Sequence, residues 1–63
     1  MCALNAYITG AGGEELYLES VDIIRPEEGG VYLKSLFGEE RLFKGRIKEI
    51  QAIKRKILLE KSG

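Results

Sequence analysis

Glycine divides this sequence into short segments, and that division constrains the fold more than any other feature. Glycines stand alone or in clusters at 10, 12 and 13, at 29 and 30, at 38 and at 45. Glycine adopts the positive backbone angles that a tight reversal needs, and the intervening segments are apolar or alternate apolar with polar residues. The pattern predicts strands joined by tight turns, beginning with the apolar segment 1–9.

The middle of the chain carries the clearest strand signals. In residues 15–19 two leucines alternate with Glu15, Tyr17 and Glu19, which predicts Leu16 and Leu18 together on the inner face of a strand. Pro26 cannot donate to a β-ladder, so the next short strand is expected to end there. Glu27 to Gly30 are expected to form the loop of a second hairpin, and residues 31–36 alternate again before a turn at Gly38.

The last third of the sequence fits two interpretations. Residues recur there at spacings of three and four, as on one face of an amphipathic helix: Phe43, Ile47, Ile50, Ile53 or Lys54, and Ile57. Gly45 inside the pattern, the many β-branched isoleucines and the lack of an N-cap argue against a helix. We therefore expect strands at 41–44, 46–51 and 56–60, with the helix as the alternative.

The short length of the chain limits the interactions that can stabilise these strands. The 63 residues make one domain, 1–63, and a domain of this size buries only roughly 60 % of its unfolded surface. A single cysteine and no histidine exclude an intrachain disulfide and a four-cysteine zinc site. Unpaired strand edges also promote aggregation. The sequence therefore predicts an all-β fold that curls into a small barrel or pairs its edges across a two-fold dimer.

Charge argues against two classes of partner. Ten Lys and Arg balance ten Asp and Glu, whereas bulk binding to nucleic acid or to an anionic membrane needs an excess of positive charge. The sequence shows neither an apolar run of about 20 residues nor a basic segment followed by a signal-peptide core. We expect a cytoplasmic protein with a reduced thiol and no membrane association.

Several short motifs together carry a resemblance to one family: Met1–Cys2, Glu14–Leu16, Leu36–Glu40, Gly45–Ile47 and Lys56–Leu59. The chain resembles the CooT family of small nickel-binding accessory proteins for carbon monoxide dehydrogenase. The resemblance implies an SH3-like barrel of six to seven short antiparallel strands, a homodimer, and Ni(II) bound at Cys2 near the two-fold axis. It also implies a metal-holding or delivering role, with a nickel enzyme as client, rather than catalysis. A hydrogenase-assembly chaperone family has the same Met-Cys start and is the alternative.

Cys2 has the chemistry that such a site requires. If Met1 is removed, the amine and thiol of Cys2 form a five-membered chelate, and if it is retained, the Cys2 amide nitrogen replaces the amine. One chelate supplies half of a square, and two chains related by symmetry complete an N2S2 set suited to Ni(II) or Cu(II). Nickel follows from the resemblance, since the donor set alone leaves copper open. The plainer interpretation of Cys2 is a small buried residue at the start of a strand.

Other charged and aromatic groups suggest weaker functions. Acidic pairs flank three turns, at 14–15, 27–28 and 39–40, and are interpreted as solvated charge rather than catalytic carboxylates. An RNA-binding module is the second alternative function. It would use cations of the last third and scattered aromatic side chains: Lys44, Arg46, Lys48, Lys54, Arg55 and Lys56 with Tyr7, Tyr17, Tyr32, Phe37 and Phe43. Interleaved glutamates argue against it.

Two turn positions are also singled out. Leu36 and Phe37 are adjacent apolar residues beside Gly38, which fits either an exposed tip that docks on a client enzyme or, as the plainer interpretation, a cap on one end of the barrel. Gly45 next to Arg46 is interpreted as a bend or bulge glycine rather than a ligand contact.

Overall fold

The computed structural model describes residues 3–61 and contains six β-strands. They are β1 (Leu4–Gly10), β2 (Gly13–Glu27), β3 (Gly30–Ser35), β4 (Glu40–Phe43), β5 (Gly45–Gln51) and β6 (Lys56–Lys61). The all-β prediction is confirmed. The three strands expected in the last third are present within one residue of the expected bounds, and the helix alternative is wrong. Residues 3–61 include no helix long and apolar enough to cross a membrane.

All six strands form one sheet, in the order β4-β3-β2-β1-β6-β5. Neighbouring strands are antiparallel except β1 and β6, which run parallel from Asn5 opposite Lys56 to Thr9 opposite Glu60. The expectation of antiparallel strands throughout is therefore wrong for this central pair. β2 already occupies one edge of β1, so the β5–β6 hairpin adds at the other edge.

The sheet curls into a half-barrel, with β5 folding back toward β3. Its concave side holds one apolar core: Ala6, Leu18, Val21, Val31, Leu33, Phe43, Ile57 and Leu59. Gly45 makes the sharp corner between β4 and β5 possible, because a Cβ there would lie 2.5 Å from the Phe43 ring and would also meet the Glu60 carbonyl oxygen. The interpretation of Gly45 as a bend glycine is confirmed.

A β-bulge in β2 overturns the predicted inner face. Leu16 lies opposite Tyr7 and Leu18 opposite Ala6, so Tyr17 is an extra residue that shifts the alternation. Leu18 is consequently 4 % exposed in the core, whereas Leu16 is 48 % exposed on the outer face. The prediction that both leucines face inward is wrong for Leu16.

β2 also continues past Pro26 to Glu27, so the predicted end of the strand at Pro26 is wrong. Glu27 and Gly30 close a two-residue hairpin, which leaves Pro26 and Val31 as a pair without ladder hydrogen bonds between them. The nitrogen of Pro26 therefore points away from β3. On that side, β1 does not reach Pro26 within residues 3–61. The missing N–H of proline therefore removes no hydrogen bond from the sheet.

Candidate functional site

Cys2, the predicted metal ligand, lies outside the described residues. Within residues 3–61 no group of three or more His, Cys, Asp and Glu side chains has an arrangement that could hold a metal ion. The described part of the site is therefore the framework from which the amino-terminal residues extend. That framework begins at Ala3 and enters β1 at Leu4.

Asn5 fixes the start of β1 from both sides. Its side-chain Oδ1 accepts a hydrogen bond from the backbone N–H of Ser20 in β2, at 3.0 Å. Its backbone N–H donates to the carbonyl oxygen of Arg55, in the turn before β6, at 2.9 Å. Ser20 has a φ of 54°, a left-handed conformation that costs a residue other than glycine about 1 kcal/mol and needs compensation. The Asn5 side chain supplies such a compensating contact.

Within residues 3–61, one backbone edge of β2 beside the start of β1 has no partner strand. Leu4 is opposite Val21, the last pair that the described residues make between β1 and β2. From Asp22 to Glu27, β2 pairs with β3 on one edge only within residues 3–61. Such an edge presents backbone donors and acceptors to which another extended segment can add. Sequence reasoning missed this edge because it ended the strand at Pro26.

The acidic pairs at the turns are exposed, as the solvated interpretation predicts. One member of each pair forms an ion pair with a nearby cation: Glu14 with Lys56 at 2.9 Å, Glu27 with Arg25 at 3.5 Å, and Glu39 with Arg41 at 3.5 Å. Exposed pairs of this kind contribute roughly 0–1 kcal/mol each. They account for three of the six carboxylates as charge-paired surface groups.

Lys56 forms a small cluster on the outer face with two partners. Its Nζ donates to Glu14 Oε1 at 2.9 Å and lies 5.1 Å from the centroid of the Tyr7 ring. The hydrogen bond to Glu14, together with the charge of that carboxylate, raises the pKa of the Lys56 ammonium above its ordinary value. Lys56 is therefore a charged group committed to contacts within the chain.

Four of the five aromatic side chains of the proposed RNA-binding module are engaged in the fold, whereas only two of its six cations are paired within residues 3–61. Phe43 is buried at 5 % exposure and packs edge-on against Tyr17, with ring centroids 5.5 Å apart. Arg46 binds Glu60 at 2.8 Å, and the Tyr32 ring is covered by Arg25 at 4.7 Å. Base stacking needs exposed ring faces beside free cations, so this arrangement disfavours single-stranded RNA as a ligand.

Two turns at the ends of hairpins expose large apolar side chains. Leu36 is 59 % and Phe37 79 % exposed, which confirms the predicted tip between β3 and β4. Ser35 Oγ holds this turn by accepting from the N–H groups of Phe37 and Glu39, both at 3.1 Å. The turn between β5 and β6 exposes Ile53 at 98 %, which sequence reasoning missed because isoleucine ordinarily predicts burial.

Comparison with known proteins gives one consistent result. The sequence model of the family described as CO dehydrogenase accessory protein CooT matches residues 1–60. An uncharacterised protein of Methanocaldococcus jannaschii is 37 % identical over 60 residues, covering 95 % of this chain and 98 % of the relative. A crystal structure described as a candidate CooT from Carboxydothermus hydrogenoformans superposes with a TM-score of 0.90 at 37 % identity, covering 98 % of this chain and all of that one. This chain belongs to the CooT family of CO dehydrogenase accessory proteins.

Proposed function

We propose that this protein is a non-enzymatic accessory protein that binds Ni(II) through Cys2 and holds or delivers it during maturation of carbon monoxide dehydrogenase or a related nickel enzyme. The observation that carries the proposal is the family match over residues 1–60, because that range includes Cys2. The family's described role supplies the client, and the donor chemistry of the chain supports the metal.

The number of donors in each chain supports a shared site. Each chain has one thiol and no imidazole, and residues 3–61 hold no preformed metal cluster. The Cys2 thiolate and its adjacent nitrogen fill two positions, so a four-coordinate planar ion requires a second chain. We propose a homodimer in which two Cys2 residues bind one Ni(II). Selection against Cu(II), which such donors bind more tightly, depends on metal availability in the cytoplasm.

The framework beside Cys2 favours association of two chains in this region. Asn5 holds the start of β1 through hydrogen bonds on both sides, so the residues before it extend from a fixed point. The edge of β2 from Asp22 to Glu27, which no other strand of residues 3–61 pairs with on this side, is next to that point and offers backbone groups to a second chain. These two features support a two-fold contact that brings the sulfur atoms of both chains together.

Titration of Ni(II) into the purified protein tests the proposal. We expect one Ni(II) per two chains by calorimetry, with thiolate-to-metal charge-transfer absorption and a dimer in sedimentation. Cys2→Ser should abolish uptake and leave the β circular-dichroism spectrum unchanged. Ala3→Ser is the matched control, since it adds the same hydroxyl at the neighbouring position and keeps the thiol. Undiminished uptake by Cys2→Ser would refute Cys2 as the ligand, and a ratio of one metal per chain would refute the shared site.

Protonation provides the expected route of release. The metal ligands must be deprotonated, so protons compete with Ni(II) for the thiolate and the nitrogen. Acidification should therefore strip the metal and bleach the charge-transfer band, and returning to neutral pH should restore both.

A further inference from the structure

The tip of the β5–β6 hairpin, residues 51–55, combines features that the metal site does not use. Ile53 is 98 % exposed, the most exposed of the large apolar side chains in the described part of the chain. Ala52 beside it is also exposed, and Ile50 at the end of β5 is 50 % exposed. A single exposed leucine or isoleucine is ordinary, but an almost fully solvated isoleucine with apolar neighbours at a projecting tip is a binding feature.

The hairpin tip is held in one conformation. Arg55 has a φ of 55°, and its N–H donates to the Ala52 carbonyl oxygen at 3.1 Å. The Arg55 carbonyl oxygen accepts from the N–H of Asn5 at 2.9 Å, which ties the tip to the central strand β1. Ile53 is therefore presented on a fixed support, and little conformational entropy is lost when a partner covers it.

Charge at the hairpin tip indicates the chemistry of the partner. Lys54 and Arg55 are exposed and form no ion pair with any group among residues 3–61. Four of the other cations are paired, namely Arg25, Arg41, Arg46 and Lys56, and the remaining four within residues 3–61 are isolated lysines, so only the hairpin tip presents two adjacent unpaired cations. An apolar side chain followed by two unpaired cations complements an apolar socket bordered by carboxylates.

We propose that the hairpin tip is the docking element for the nickel-receiving enzyme, with Ile53 entering an apolar socket and Lys54 and Arg55 meeting carboxylates at its rim. This inference rests on the proposed function, from which it takes the client. A contact made by one hairpin tip is small, and interfaces below about 1,200 Å² belong to weak, transient complexes. Rapid dissociation suits a protein that must leave after the metal has been transferred.

The turn between β3 and β4 provides the internal comparison. Phe37 is 79 % exposed there, but the nearest charge along the chain is Glu39, with Lys34 and Glu40 each three residues away. This turn lacks the two adjacent cations of the hairpin tip, so the two turns do not fit the same carboxylate-bordered socket. Lys44 gives a second comparison, since it is exposed and lies at the other end of β5, next to Gly45.

The test measures binding of the full-length, nickel-loaded protein to immobilised carbon monoxide dehydrogenase purified without nickel. Ile53→Ser should weaken binding at least about tenfold, as expected for a central apolar anchor. Lys54→Glu should slow association about tenfold at low salt, with a smaller effect at high salt. Phe37→Ser and Lys44→Glu, which make the same changes elsewhere, should stay within about twofold of the unsubstituted protein. All four positions are exposed, and circular dichroism checks that each variant folds.

Each contrary result has a distinct meaning. Unchanged binding by Ile53→Ser, or an equal loss with Phe37→Ser, overturns the hairpin tip as the docking element and leaves the proposed function intact. No binding by the unsubstituted protein refutes the enzyme as client, and this inference with it. Two further assays use vesicles of equal phosphatidylcholine and phosphatidylglycerol, and sedimentation of the protein alone. Vesicle binding or self-association that Ile53→Ser removes, while enzyme binding is unaffected, overturns the inference in favour of a membrane or a second copy.

Discussion

The Asn5 side chain makes the hydrogen bond that we expect to stabilise the start of β1 most, and Asn5→Ala tests this expectation. The substitution removes the acceptor of the 3.0 Å hydrogen bond from the Ser20 N–H. A neutral hydrogen bond contributes about 0.5–1.5 kcal/mol, and the left-handed conformation of Ser20 then loses its compensation. The loss should be about 1–2 kcal/mol. A chain of 63 residues has a total stability of roughly 3–9 kcal/mol, so the effect is readily measured.

Urea unfolding followed by circular dichroism measures this loss at one fixed protein concentration, because dimerisation makes stability depend on concentration. With a slope of about 1 kcal/mol per molar, the midpoint of Asn5→Ala should fall by about 1–2 M, and the Ser20 amide should exchange faster. Asn5→Asp retains an oxygen acceptor and should stay near the unsubstituted midpoint. Equal midpoints for Asn5→Ala and the unsubstituted protein, or equal losses for the Ala and Asp variants, would refute the role of the hydrogen bond.

Two further predictions concern the corner and the outer face. Gly45→Ala should lower the free energy of unfolding by about 2–3 kcal/mol, because the added methyl group would meet the Phe43 ring. Gly12→Ala is the control, since a Cβ at Gly12 has nothing within 4 Å, and it should change the urea midpoint little. Similar midpoints for the two variants would contradict the tight corner. The raised pKa of Lys56 means that the folded state holds this proton more tightly than the unfolded state does. The stabilisation of the folded state by protonated Lys56 is therefore present below about pH 10 and is lost as pH rises through the folded-state pKa. The urea midpoint should therefore fall above about pH 10, and Lys56→Met, which cannot bond Glu14, should show a smaller fall; identical pH profiles would contradict this.

The helical spacing in the last third has a structural explanation that was hidden in the sequence. Ile47 lies opposite Leu59 and Ile50 opposite Ile57, and between them β5 contains one more residue than β6. This bulge brings Ile47 and Ile50, three residues apart, to the same side of the strand. A three-residue spacing is the signature of a helix face, so periodicity alone could not separate the two interpretations. The β-branched composition and Gly45 favoured the correct one.

Bulges also explain why the presence of a strand was easier to predict than which of its side chains face the core. In β2, Leu18 and Val21 are both buried although they are three residues apart, because Ser20 lies in a left-handed bend between them. Bulge positions depend on the partner strand and on contacts such as Asn5 with Ser20, which lie 15 residues apart in sequence. Turn glycines are local signals, whereas these contacts are not.

The candidate site was also predictable from the sequence only in part. Cys2 could be singled out from the sequence by its chemistry and by the motifs around it, and it stays a prediction because it lies outside the described residues. The unpaired edge of β2 and the solvated Ile53 depend on where each strand ends and turns, which no local pattern specified. The pairing of Glu14 with Lys56, 42 residues apart, was likewise invisible before the sheet order was known.

The parallel pairing of β1 with β6 has a consequence for how the chain reaches its native state. Thr9 Oγ1 donates to the Leu59 carbonyl oxygen across 50 residues of sequence, and the ladder from Asn5 to Thr9 spans similar separations. During synthesis, β1 therefore lacks one neighbour until β6 has left the ribosome. Closing so long a loop makes the folding rate depend on the topology, and high-contact-order β proteins fold in milliseconds to seconds. Assembly of this sheet is therefore expected to be a late event that waits for β6.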